Sequence, residues 1–135
     1  MNLEGKVLVV DDEAHIRKFV TLMIESLGVA VVLEAANGLE AQEVYAREKP
    51  QLVLLDVNMP RVDGIQTLRQ LKQADPGCRV VMLTSLVNRQ TVEECLQLGA
   101  MGYLRKDNPP DEMTVQLKNI LQECVTLKIG KAGRP

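Results

Sequence analysis

Asp11-Asp12, Asp56, Thr84 and Lys106 each follow directly on a short apolar run rich in β-branched and leucine residues. The runs are KVLVV before Asp11, QLVLL before Asp56, RVVML before Thr84 and GYLR before Lys106. If they are parallel strands of one sheet, their C-terminal ends form a single rim, and ligands of open α/β sheets bind at that rim. Three carboxylates, a hydroxyl and an ammonium gathered there suit a divalent cation and a phosphoryl group. Carboxylates so crowded repel: at an effective dielectric near 20, one pair about 4 Å apart costs ~4 kcal/mol. Either a pKa rises or a cation binds. Hard oxygen donors without a useful histidine or thiolate point to Mg²⁺, with Mn²⁺ as the substitute, and away from zinc.

A carboxylate can also act as a nucleophile and form an aspartyl-phosphate. Asp56 is the candidate, because it stands alone on the central run, opposite the Asp11-Asp12 pair. Lys106 would pair with one phosphoryl oxygen and Thr84 would donate a hydrogen bond to another. Positioning and charge neutralisation are the main tasks in phosphoryl transfer. Each piece alone has a plainer reading: an Asp pair after a strand caps a turn or helix, and a lysine at a strand end is a solvated charge. Their joint appearance at successive strand ends carries the inference.

The elements that must position these residues read as five strand-then-helix units. After the first strand, Ile16, Phe19, Val20, Met23, Ile24 and Leu27 recur at helical spacing, with Gly28 as the stop. Residues 29–35 (VAVVLEA) form a strand closed by the turn pair Asn37-Gly38. A weaker helix follows, with Ala41, Val44 and Tyr45 inward, and ends before Pro50. QLVLL is apolar throughout, as a central strand covered on both faces requires. A loop with Pro60 and Gly64 leads to a helix presenting Ile65, Leu68 and Leu71. Beyond Pro76-Gly77 come the fourth strand and a helix over 88–98 that should bury Val92, Cys95 and Leu96. The fifth strand GYLR and a last helix with Met113, Leu117, Ile120, Leu121 and Cys124 on one face complete the pattern.

Repeated β-then-α units imply right-handed crossovers and helices on both faces of a parallel sheet. The order 2-1-3-4-5 makes the first and third strands neighbours and brings the charges together. At 135 residues, this is one domain large enough to bury its core unaided. A net charge of −2 gives no field favouring nucleic acid or an anionic membrane, and aromatic platforms for base stacking are scarce. No apolar run reaches membrane-span length and the N-terminus lacks a signal pattern, so a cytoplasmic location is expected. Cys78, Cys95 and Cys124 form no C-x-x-C pair and are expected as small buried thiols. The basic tail with Lys128, Lys131 and Arg134 is expected to be frayed and disordered.

The motifs VVDDE (9–13), LLDVNMPRVDG (54–64), LTS (83–85) and LGAMGYLRK (98–106) resemble those of the receiver domain of bacterial two-component response regulators, the CheY-like family. The resemblance runs from residue 5 to about residue 127, which sets a domain of 1–127 and leaves 128–135 as the tail. It implies a flavodoxin-like (βα)5 doubly wound sheet, the arrangement of which CheY is a standard example. It implies that Asp56 accepts phosphate from a histidine kinase or histidine phosphotransfer protein. Mg²⁺ would be held by Asp12, Asp56 and the backbone carbonyl of Asn58, with Asp11 acting through water. Thr84 and Tyr103 would be the switch pair, and the fourth helix, fifth strand and fifth helix the face that a downstream protein reads.

On this reading the chain is a signalling domain and not an enzyme in the ordinary sense, although it can catalyse its own phosphorylation and dephosphorylation. It would be a monomer or a weak, phosphorylation-dependent homodimer. Phosphorylation adds about −1.5 to −2 charges and would bias a two-state surface by ~1–3 kcal/mol. Asn58 and Leu86 would flank the attacking water and tune dephosphorylation. One departure is Asp107 after Lys106, where the family most often has proline; a cis bond to a non-proline residue costs ~2.5–4 kcal/mol.

Other readings remain open on the residues alone. The chain could be a receiver cut from a longer DNA-binding regulator. An aspartate-nucleophile phosphatase uses similar groups, but places a second Asp where this chain has Asn58. A phosphotransfer role for His15 would require a helical bundle.

Overall fold

The computed structural model describes residues 3–57, 59, 63–85 and 89–123. Strands β1 (Leu3–Val10), β2 (Val29–Ala35), β3 (Leu52–Asp56), β4 (Val80–Thr84) and β5 (Gly102–Arg105) alternate with helices. These are α1 (Ala14–Ser26), α2 (Gly38–Glu48), α3 (Gly64–Ala74), α4 (Arg89–Gln97) and α5 (Pro110–Leu121). The sheet is parallel with the order β2-β1-β3-β4-β5, the flavodoxin-like arrangement expected. Cys124, the basic tail, Asn58, Pro60 and Leu86 lie outside the described residues.

Strand period decides which side chain meets which helix. Val7, Val9, Leu52, Leu54, Val81 and Leu83 face one side and pack with Val20 and Ile24 of α1 and Leu117 of α5. Leu8, Val10, Val53, Leu55, Val80 and Met82 face the other and pack with Ala41 of α2, Leu68 of α3 and Cys95 of α4. β3 and β4 are buried at every position, which is why their sequences show no polar alternation.

Helix ends follow local chemistry. Asn37, read from sequence as a turn residue, caps α2: its side chain accepts from the Glu40 amide at 2.9 Å, and Glu40 reaches back to the Ala36 amide at 3.3 Å. Asp63 caps α3 by accepting from Gln66 N–H at 2.8 Å. After α1 the chain turns at Gly28, whose φ of 103° favours glycine. Two expected core positions face water instead. Phe19 is 43% exposed because Val20, Met23 and Ile24 already fill the stripe of α1 that meets the sheet. Leu96 is 45% exposed because α4 presents only Cys95 as a fully buried residue. The Lys106–Asp107 peptide is trans.

Candidate phosphoryl-transfer site

The register places the site. Val10 of β1 stands abreast of Leu55 of β3, so Asp11 and Asp56 leave adjacent strands side by side at the switch point. Asp12 is the next residue along and stands exposed on the rim, whereas Asp11 and Asp56 are buried. Carboxylate oxygens of Asp11, Asp12 and Asp56 lie within 4.8 Å of one another. Thr84 closes β4 and is buried; its carbonyl accepts from the Lys106 amide at 2.8 Å, which docks the end of β5 beside it.

Lys106 reaches into the middle of this group. Its Nζ lies 2.6 Å from Asp11 Oδ2, 3.1 Å from Asp56 Oδ1 and 3.8 Å from Glu13 Oε1, with only 8% of the side chain exposed. Burial works to lower the pKa of Lys106, but its close contact with Asp11 and the charges of Asp56 and Asp11 outweigh it and hold it above the usual value. Glu13 is a fourth carboxylate beside the site, one that strand-end reasoning misses because it lies three residues beyond β1, just before α1.

Asp11 Oδ1 accepts from the Glu13 amide at 2.9 Å. Oδ2 is buried, and its contact with Lys106 is an ion pair without a well-directed donor. A buried carboxylate oxygen with spare lone pairs calls for a cation or a further donor. All three members of the cluster are carboxylates, so the donor set fits a hard divalent ion such as Mg²⁺. Asn58, the expected backbone ligand, is outside the described residues.

The end of β3 is held closely. Val57 N–H donates to Leu83 O at 2.9 Å, and Gly64 N–H donates to Val57 O at 3.0 Å. Gly64 is buried against this strand end: a Cβ there would meet Asp56 O at 2.0 Å and Val57 Cα at 2.7 Å. The glycine therefore lets α3 start directly against the end of β3.

Tyr103 stands on β5 opposite Met82 and is 44% exposed. A narrow apolar cavity runs between α4 and the β4–β5 edge; Thr84, Cys95, Gly102 and Tyr103 are among its walls. The two residues expected to act as a switch thus border one cavity. His15 is exposed near the start of α1, on a sheet-based fold without the helical bundle a phosphotransfer role would need. Among the described residues no helix is long and apolar enough to cross a membrane.

Comparison with known proteins agrees with this geometry. The profile of the response regulator receiver domain matches residues 7–118. A Pseudomonas aeruginosa protein described as a transcriptional regulator is 38% identical over 126 residues, covering 93% of this chain but 61% of its own length. The chemotaxis protein CheY of Bacillus subtilis is 33% identical over 116 residues, covering 86% of this chain and 97% of its own. Among solved structures, a chain of the CheX–CheY–BeF3–Mg²⁺ complex from Borrelia burgdorferi superposes with a TM-score of 0.79 at 31% identity, covering 85% of this chain and 87% of that one.

Proposed function

The chain belongs to the response regulator receiver domain family, and from that membership we propose that it takes a phosphoryl group onto Asp56 from a histidine kinase or histidine phosphotransfer protein. The observation that carries the reading is Lys106 lying between Asp11 and Asp56, beside a third carboxylate, at the rim where β1 and β3 meet. In the transfer, an Asp56 oxygen bonds to phosphorus as the P–N bond of the donor opens. The electron pair leaves with the ring nitrogen, and a ring already protonated at its other nitrogen departs as neutral imidazole.

Asp11, Asp12 and Asp56 are the side chains that would hold Mg²⁺, which supplies positive charge against the incoming phosphoryl oxygens. Lys106 moves from carboxylate partner to phosphoryl partner, and the Thr84 hydroxyl is positioned one residue beyond the strand register of Asp56 to donate a hydrogen bond. Drawing Thr84 toward the phosphoryl group opens room in the shared cavity for the Tyr103 ring. The surface of α4, β5 and α5 changes with it, and that face is the output to a downstream protein. The Borrelia complex, with its BeF3 and Mg²⁺, supports this chemistry from a similar protein.

A second reading concerns the output. The chain spans 61% of the Pseudomonas relative, and a receiver within a longer transcriptional regulator would pass its signal to a neighbouring domain. The sequence of the full gene decides between the two.

The direct test is labelling with radioactive acetyl phosphate in Mg²⁺, comparing wild type with Asp56→Asn. The label should be acid-stable, alkali-labile and lost in the variant. Label retained by Asp56→Asn places the acceptor elsewhere.

A further inference from the structure

Arg17 has no place in the chemistry described so far, yet its guanidinium joins two elements at the site. Nη1 donates to the main-chain carbonyl of Asp11 at 2.7 Å, and Nε donates to Glu34 Oε1 of β2 at 3.0 Å. Its own amide donates to Glu13 O at 2.9 Å, which fixes it in the first turn of α1, with 19% of the side chain exposed.

The carbonyl it holds is where the β1 ladder ends. Asp11 N–H still pairs with Ala35 O of β2 at 3.1 Å, while the carbonyl on the far side of the same residue turns to Arg17. A peptide group is planar, so fixing that carbonyl also fixes the Asp12 amide and the position of the Asp12 Cα from which its carboxylate is carried. Glu13, at the N-cap of α1, makes no side-chain capping bond. The loop is tied instead by Asp11 Oδ1 on the Glu13 amide and by Arg17 on the Asp11 carbonyl.

We propose that Arg17, braced by Glu34, is a positioning residue that sets the Asp11–Asp12 peptide and so the geometry in which these carboxylates receive a divalent cation. The inference rests on reading Asp11, Asp12 and Asp56 as an Mg²⁺ site. It joins β2, the edge strand, to chemistry that otherwise involves β1, β3, β4 and β5.

Charge alone gives the opposite sign. A guanidinium near a cation site repels the cation, so an Arg17 acting only through its field weakens Mg²⁺ binding, and neutralising it tightens binding. A positioning Arg17 strengthens binding, and neutralising it loosens the site. Arg17→Lys separates the two again: it keeps the charge but cannot make both bonds with one planar group.

The experiment is an Mg²⁺ titration of the 135-residue chain, followed by amide NMR shifts, for wild type, Arg17→Lys and Arg17→Gln. Groups that orient metal ligands typically contribute 10–100-fold in affinity, so both variants should raise the Kd by about tenfold. Acetyl phosphate labelling should then recover toward the wild-type rate at saturating Mg²⁺, because the defect lies in metal binding and not in Asp56. Metal-free amide spectra show whether each variant is folded, and Arg17→Lys provides a charge-conserving case if Arg17→Gln is not. Wild-type affinity in Arg17→Lys, or tighter binding in Arg17→Gln, overturns the proposal. Absence of Mg²⁺ binding by the wild type overturns the metal-site reading itself, and the Arg17 proposal with it.

Discussion

The ammonium of Lys106 and the carboxylate of Asp56 meet at 3.1 Å although β4 separates their strands. Lysine spans that gap because its long side chain, 8% exposed, carries the charge inward from the end of β5, where its head finds Asp11 as a second partner at 2.6 Å. Two buried carboxylates share one buried cation, so removing the cation leaves both charges uncompensated. Losing one partner of a buried pair costs about 3–5 kcal/mol. Lys106→Ala is therefore expected to melt well below wild type in EDTA. Saturating Mg²⁺ should narrow the difference, because the metal then offsets the same carboxylates. The variant should still accept phosphate but lose most of its amide-shift response to activation. Parallel thermal scans with and without Mg²⁺ check the first expectation; a deficit unchanged by the metal counts against a shared site.

The same contacts set an alkaline limit. Lys106 has its pKa raised in the folded protein, since Asp11 and Asp56 outweigh the opposing effect of burial. A raised folded pKa means that the stabilisation is complete below the unfolded value, about 10.4, and fades as pH climbs through the folded one. Urea unfolding should show wild type losing stability above about pH 10 beyond what Lys106→Met loses over the same range. Parallel curves for the two proteins would remove Lys106 as the source.

Gly64 and Gly77 give a matched pair of substitutions. A methyl group at Gly64 meets Asp56 O at 2.0 Å and Val57 Cα at 2.7 Å, both main-chain atoms, whereas one at Gly77 meets only the Asp75 carboxylate at 3.4 Å. Overpacking against backbone costs roughly 1–3 kcal/mol, and Gly64→Ala should lose at least that while slowing acetyl phosphate labelling through displacement of the end of β3 that carries Asp56. Gly77→Ala should stay within about 0.5 kcal/mol and label normally. Denaturant midpoints and labelling rates measured together test both. Equal stability for the two variants would show that α3 can back away from β3 at little cost.

Much of the fold, and the place of the candidate site within it, is legible in the sequence, for identifiable reasons. Asp11, Asp56, Thr84 and Lys106 can be placed because each follows an apolar run, and a parallel sheet converts strand ends into neighbours. Helix faces are legible only as far as spacing goes. Periodicity identifies an apolar stripe but not its width, so it assigns Phe19 and Leu96 inward although they lie outward. Contacts between distant elements are out of its reach. Arg17 with Glu34 depends on how α1 crosses β2. The 2.7 Å bond from the Tyr45 hydroxyl to Asp75 depends on where α2 meets the turn after α3. Gly64 reads as a loop residue, and its need for close approach emerges only once α3 is seated on β3.

Gly102 lines the cavity beside Tyr103, and a Cβ at that position would have nothing within 4 Å. No positive φ demands glycine there either, since Gly5, Gly28 and Gly99 are the glycines with that conformation among the described residues. Gly102→Ala should fold normally, and alanine suits a strand slightly better than glycine does. The added methyl nonetheless takes space from the cavity that an inward Tyr103 ring would need. Addition of beryllofluoride and Mg²⁺ should shift the Tyr103 ring resonances strongly in wild type, less in Gly102→Ala, and least in Thr84→Ala, which lacks the hydroxyl proposed to couple the site to the cavity. Phosphate acceptance on Asp56 should persist in all three. An undiminished ring shift in Gly102→Ala would mean that Tyr103 does not enter this cavity, and the response of the α4, β5 and α5 surface would then need another route from Thr84.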